Sequence, residues 1–314
     1  MRVKNYQIIV LNSILAFLIV IMTILTKGGI LRLESLQAVA FQMPLLGLLT
    51  LAQMVPMLTG GIDLSIISNA NLAGIIVALI LTRVSAWYTV PLAILAGIGT
   101  ALAVGALNGF LVAFVTISPI IATLGTMILI KGISLGITKG YIIAGFPKEF
   151  LFIGDGSILG IPMPFIILVV SMLLLALLLN KTTYGISVYM LGSNPVATEF
   201  SGVNIKSVLF RTYLLSGFLT GIASLVMIAR FNAAQAAYGE SYLLLTVLAC
   251  VLGGVNPAGG FGKVSGLFIA IVVLQIVATG FNLLRLSSHL ANALWGLILI
   301  FVITINRAIT GKWI

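Results

Sequence analysis

About ten apolar stretches follow one another along this chain, near residues 7–26, 36–58, 64–82, 88–115, 119–138, 163–180, 208–229, 241–255, 264–284 and 290–306. Most approach the roughly 17–25 residues that a helix needs to cross the hydrocarbon core of a bilayer. Backbone polar groups in lipid must be satisfied internally, and a helix does this within a single segment. The succession therefore predicts an all-α, polytopic membrane protein. Several stretches are short or interrupted, which predicts broken or re-entrant helices. Pro and Gly gather at the joints, as in Ser118-Pro119, Gly145-Phe146-Pro147, Ile161-Pro162-Met163-Pro164 and Asn256-Pro257. No polar linker or change of composition divides the chain, so residues 1–314 read as one transmembrane domain.

Composition closes the soluble alternative. Of the 314 residues, 61% are hydrophobic and 7% charged, and the mean hydropathy is +1.27. A soluble domain is about a quarter charged, so lipid must solvate most of this surface. The net charge of +10 does not point to nucleic acid: the 16 Lys and Arg are scattered, and a phosphate-binding face needs them clustered. They read as anchors around helix ends. Cys250 is the only cysteine and lacks a partner for a disulfide or a metal site. His289 is also single, and a structural place near a span edge is expected for it. Met1-Arg2-Val3-Lys4 precedes the first apolar run without a small-residue cleavage site after it, which reads as an uncleaved first span. With an even number of spans and both termini in the cytoplasm, the cations divide almost equally between the two sides. The positive-inside rule thus barely decides the orientation.

Polar residues inside the apolar pattern carry the functional signal. Gly60-Gly61-Ile62-Asp63-Leu64-Ser65 interrupts it: the glycines let the backbone leave helical geometry, and Asp63 can cap the helix that follows. Ser65, Ser68 and Asn69 then give that helix a polar face. A carboxylate near lipid is costly and marks a functional candidate; capping and a direct role in transport both remain open for Asp63. A second break, Gly253-Gly254-Val255-Asn256-Pro257, repeats Gly-Gly, an aliphatic residue and then Asn. It lies about 193 residues further on, a repeat of the kind that internal duplication leaves, though the offset does not divide ten spans into two fives. Gly259-Gly260-Phe261-Gly262-Lys263 follows it. As a phosphate loop this run fails, because Pro257 stands where the first Gly is needed and Val264 where Ser or Thr is needed. ATP is not expected to bind this chain. In the fifth stretch Thr123, Thr126, Lys131, Ser134 and Thr138 share a helical face within an arc of roughly 140°. Lys131 should point at protein or water. The Ser and Thr can pack helices together or line a solute path. Gln53, Asn108, Gln235, Gln275 and Asn282 suit a neutral, hydroxylated cargo better than an ion.

The longest polar connection runs over residues 181–207. Asn194-Pro195 supplies a helix start, with Asn as N-cap and Pro at the first helical position, and Gly202 supplies a stop. A helix of about two turns outside the membrane is predicted, either a solvated loop or a handle for another protein.

Taken together, these motifs resemble the ribose-type permeases of bacterial ATP-binding-cassette importers, collinearly over nearly the whole chain. The resemblance rests on Gly60 to Ser65, Ala122-Thr123-Leu124-Gly125-Thr126, Thr183-Tyr184-Gly185, Gly192-Ser193-Asn194-Pro195-Val196-Ala197 with Ser201-Gly202-Val203, and Val251-Leu252-Gly253-Gly254 followed by Ala258-Gly259-Gly260. It implies a permease for a monosaccharide or related solute in the bacterial inner membrane. The expected partners are a second permease subunit, cytoplasmic cassette ATPases that hold ATP and Mg, and a periplasmic or surface-tethered solute-binding protein. It also implies that Gly192, Asn194, Pro195, Ala197, Thr198, Glu199, Ser201 and Gly202 form a coupling helix that docks on the ATPase. Gly60, Gly61, Asp63, Ser65, Asn69, Thr123, Thr126, Gly253, Gly254 and Asn256 are the expected helix breaks and translocation path. Where the family commonly has Gly, this chain has Ile67. An ion-gradient-driven transporter fits the broken helices but not the scarcity of membrane acids. An intramembrane enzyme would need a His or clustered acids beside a nucleophile. No catalytic role is expected of the chain.

Overall fold

The computed structural model describes residues 2–84, 86–287, 289–291, 293–298, 300 and 304. Helices α1 (Arg2–Leu25), α2 (Leu33–Leu58), α3 (Ile66–Arg83), α4 (Thr89–Ala113) and α5 (Pro119–Thr138) follow the first five predicted stretches. A short α6 (Lys148–Asp155) precedes α7 (Met163–Lys181), and α8 (Thr183–Ser193) and α9 (Pro195–Phe200) fill the polar connection. Then come α10 (Ile205–Phe231), α11 (Tyr242–Leu252) and α12 (Val264–Leu283). Among the described residues, strands are reduced to two clips of two residues a side. Ile143–Ala144 pairs antiparallel with Ala233–Ala234, and Ser157–Ile158 with Ile161–Pro162. The protein is a polytopic helical membrane protein: seven helices among the described residues are long and apolar enough to span.

One predicted span needs correction. The stretch at 241–255 forms only the 11-residue α11, about 16 Å long and too short to cross a bilayer by itself. Gly253-Gly254 ends it, and the ten residues before it, 232–241, supply no helix that would extend it outward. The tenth stretch, 290–306, lies partly outside the described residues; 289–291 and 293–298 within or beside it are helical. Arg307 and Lys312, two of the cations that even-span topology places on the cytoplasmic side, lie outside the described residues.

The helices are sorted by polarity in the sense opposite to a soluble protein. In the most apolar window of α2 and of α3, 72% of residues are buried, against 28% for α4 and for α5. Thr50, Gln53, Ser65, Ser68, Asn69 and Asn71 of the α2–α3 region are all buried. Leu95, Ile121, Ile128 and Leu129 of α4 and α5 are exposed. Lipid is as good a solvent for leucine as a protein core, so apolar side chains are free to face outward while polar ones need protein partners. Small residues let α10, the most centrally placed helix, approach α4 closely. A Cβ on Gly217 would lie 2.6 Å from the carbonyl oxygen of Ala101, and one on Gly105 at 2.6 Å from that of Tyr213.

Candidate coupling and translocation site

The two helix breaks are the same device. After α2, Gly60 N–H donates to Met57 O and Gly61 N–H to Pro56 O, both at 3.0 Å. After α11, Gly254 N–H donates to Val251 O (3.0 Å) and Val255 N–H to Cys250 O (2.9 Å). Each is the paired-bond helix stop that requires a left-handed residue, and Gly60 and Gly254 take that place with φ of 80° and 81°. The sequence match pairs Gly60 with Gly253. The hydrogen bonds pair Gly60 with Gly254, so the structural register is displaced by one residue.

Around Asp63 the polar residues of the first break knit helices together. Asp63 Oδ1 accepts from Ser65 N–H (2.9 Å) and from Ser65 Oγ (2.7 Å), while Ser216 Oγ of α10 donates to Oδ2 at 3.3 Å. The carboxylate therefore bonds the residue just before α3, where the helix dipole is positive. Asn108 Nδ2 of α4 donates to Ser65 Oγ (2.7 Å), and Asn69 Nδ2 donates to the Ala101 carbonyl of α4 (3.2 Å). From α5, Thr123 Oγ1 accepts from Leu64 N–H (3.1 Å) and lies 3.2 Å from the Ile62 carbonyl oxygen. Thr126 is buried and bonds only its own helix, at the Ala122 carbonyl (3.0 Å). Asn256 shapes the second break: its Oδ1 accepts from Ala258 N–H (3.0 Å) and its own N–H donates to Phe261 O (2.9 Å). Asp63, Ser65, Asn69, Thr123 and Thr126 are thus buried between helices in this conformation.

The extramembrane helix forms as its caps dictate. Asn194 Oδ1 accepts from Ala197 N–H (3.0 Å), Pro195 occupies the first helical position, and Gly202 with φ 79° closes the last turn onto Glu199 O (2.9 Å). Thr198 is buried, its hydroxyl on the Asn194 carbonyl (2.8 Å). Pro195, Ala197, Glu199 and Ser201 are exposed, as are Val196 and Phe200, the latter to 89%. The eleven-residue α8 was not anticipated. Its N-cap, Thr182 accepting from Gly185 N–H (3.2 Å), was a readable signal inside the polar connection. An open cleft of about 350 Å³ separates α8 from α9, lined by Tyr189, Met190, Ser193, Asn194, Ala197, Thr198 and Ser201. Burial raises the phenol pKa of Tyr184 and Tyr189 above the ordinary tyrosine value, so both act as neutral hydrogen-bonding groups. Tyr184 shares a bond with Thr212 of α10 (3.1 Å), and Tyr189 donates to the Gly262 carbonyl (2.9 Å).

Three motifs that lie far apart in sequence meet at backbone level here. Gly192, at the end of α8, is packed so that a Cβ would overlap the Leu58 carbonyl oxygen and the Gly260 amide. A Cβ on Gly259 would lie 2.8 Å from Gly192 Cα and 2.8 Å from Gly60 N. Gly260 N–H donates to Leu58 O (2.9 Å), joining the loop after α11 to the end of α2. Ser193 sits against Gly260. Gly192 and Ser193, just ahead of α9, thereby sit directly on the end of α2 and on the loop that follows the second break.

Away from this junction, Lys131 Nζ of α5 meets Glu240 Oε1 at 2.6 Å, the one salt bridge among the described residues. The expectation that Lys131 faces protein or water holds.

Known proteins give the same reading of the chain. A family model described as branched-chain amino acid transport system / permease component matches residues 35–303. The ribose import permease protein of Bacillus subtilis (strain 168) is 33% identical over 300 residues, covering 93% of this chain and 90% of that protein. The L-arabinose transport system permease protein of Escherichia coli (strain K12) is 31% identical over 250 residues, 79% of this chain and 75% of that one. The autoinducer 2 import system permease protein of Yersinia enterocolitica is 30% identical over 281 residues, 86% and 84% of the two chains. No solved structure matches significantly. With a family match over most of its length and relatives at this identity, the chain belongs to the permease components of ATP-binding-cassette importers.

Proposed function

We propose that this chain is the inner-membrane permease of an ATP-driven importer for a monosaccharide or a similar small hydroxylated solute, and that Gly192–Gly202 is where the cassette ATPase acts on it. The observation that carries the reading is the backbone contact of Gly192, Gly259 and Gly60. A displacement of α9 has no compressible side chain between it and either helix break, so it must move the ends of α2 and α11 together. Phe200 and Val196 offer exposed apolar anchors for a docking partner on an otherwise polar connection. Support for a sugar comes from the names of the relatives and from the neutral, amide- and hydroxyl-rich interior. A solute-binding protein would deliver the solute, a second permease subunit would complete the pore, and the ATP and Mg would sit on the ATPases. Both termini would be cytoplasmic, with α8 and α9 on the same side. Asp63 serves this scheme as the fastening of α3 to α10 at the first break.

The test is purification of the tagged chain in mild detergent, followed by reconstitution with the proteins that accompany it. A cassette ATPase should co-purify, and radiolabelled ribose or arabinose should enter vesicles only when ATP is hydrolysed. Replacing Asn194–Gly202 with a Gly-Ser linker should remove the ATPase while the chain still inserts. Retained ATPase binding by that variant would sink the coupling assignment.

A further inference from the structure

We infer that the Lys131–Glu240 pair faces the aqueous solute route and contacts the passing solute; this deepens the importer reading and rests on it. Lys131 lies twelve residues from the start of α5 and seven from its end, so its backbone is about 18 Å and about 10 Å from the two ends of a helix just long enough to span. Glu240 reaches the same depth because the chain before it dips inward. Asn71, only five residues into α3 and about 18 Å from that helix's far end, donates through Nδ2 to the carbonyls of Ala236 (3.2 Å) and Tyr238 (3.0 Å). Two further ties hold the segment: the Ala233–Ala234 strand on Ile143–Ala144, and Asn232 Oδ1 accepting from Phe146 N–H (2.9 Å). The strand pair and Asn232 thus tie the start of the segment to the 143–146 loop beyond the end of α5, and Asn71 draws residues 236–238 in against α3, within the length of that spanning helix.

The pair at the end of this segment is not buried. The side chains of Lys131 and Glu240 are 43% and 56% exposed. Charged groups at that depth cost about 2.5–3.5 kcal/mol each against lipid on insertion scales, so they face protein-enclosed water. A packing-only salt bridge would be covered, as the Asp63 cluster is. Chemically, an ammonium and a carboxylate side by side offer donors and acceptors to adjacent hydroxyls. The charges cancel, so a neutral polyol can be held without attracting ions. The ring of Tyr238 in this segment lies 5.3 Å from that of Phe231, the last residue of α10, and the two add an aromatic surface. Lys131 on the flank of α5 and Glu240 on the re-entrant segment would thereby place the solute between these two elements.

The experiment uses the assembled importer with Cys250→Ala, which removes the only thiol of this chain, and follows labelling of this chain alone. Lys131→Cys, Glu240→Cys and, as reference, Leu129→Cys are each treated with a membrane-impermeant cationic thiosulfonate. Leu129 is 54% exposed at nearly the same depth but about 160° around α5 from Lys131. Thiols at 131 and 240 should react about tenfold or more faster than one at 129, because the reactive thiolate needs water. Added D-ribose should slow the reaction at 131 and 240 only. In uptake of labelled D-ribose, Lys131→Met and Glu240→Gln should each raise KM about tenfold, the loss expected for a charged hydrogen bond, with a smaller change in kcat. Equal reactivity at all three positions, or KM within twofold of the parent, overturns the inference. Should the parent importer take up no ribose or arabinose, the sugar reading fails by itself, and the thiol rates still decide whether the pair faces water.

Discussion

The floor of the protein, where α8 and α9 meet the helix breaks, and the re-entrant segment 232–241 are built by opposite means. At the floor, main chain touches main chain: Gly192, Gly259, Gly260 and Gly60 leave no volume for side chains, and the contacts are rigid. The re-entrant segment is hung from side chains: Asn71, Asn232 and a two-residue strand hold it, and its charged end stays open. In the proposed coupling scheme the first construction is the one that passes displacement on. The second leaves room for a guest and for movement. A permease driven from one end needs both, and the difference predicts that substitutions at the floor break the protein while those above change what it handles.

The sharpest break is at Gly192. Valine there must displace the Leu58 carbonyl and the Gly260 amide, costing about 3 kcal/mol or more. The measured outcome should be loss of a monodisperse peak in detergent, whereas a peak of normal height would show the junction to be compliant. Asp63→Ala comes next: it leaves Ser65 N–H and the Ser216 hydroxyl without their buried acceptor, for about 2 kcal/mol. Thermal unfolding should shift down, and Asp63→Asn should recover part of the loss because the amide oxygen still accepts. Asn71→Ala removes two bonds at about 1 kcal/mol each. Its distinctive effect is local: a Cys at 240 should react faster as the segment loosens, alongside a fall in the unfolding temperature no larger than that of Asp63→Ala. Thr126→Ala marks the small end of the series. Its hydroxyl bonds only the preceding turn of α5, so the change should stay within about 0.5 kcal/mol and leave uptake intact.

Much of the fold was readable because spanning helices announce themselves by length and apolarity. Most bounds fell within a few residues of the predicted stretches, and the caps at Thr182, Asn194 and Gly202 are local chemistry that needs no tertiary knowledge. α11 was overread, since an apolar run reads the same whether it crosses the membrane or stops halfway. What shortens it is the path of 232–241, set by Asn71 some 165 residues earlier in the chain. The breaks themselves were legible as Gly-Gly motifs, but not their meeting with Gly192, which depends on how the helices pack. Lys131 stands out as an ionisable residue in a span. Its partner does not, because Glu240 stands between Gly239 and Ser241 just ahead of an apolar run, a pattern any loop could show.

The most direct test of the account is a photo-crosslinker placed at Phe200 in native membranes. Phe200 is the most exposed apolar side chain on α9 and makes no use of its surface within this chain. A crosslink to a cassette ATPase, lost when Asn194–Gly202 is replaced by a flexible linker, is the predicted result. Crosslinks to lipid alone, with ATP-driven uptake intact, would contradict the claim that the importer is driven through this helix.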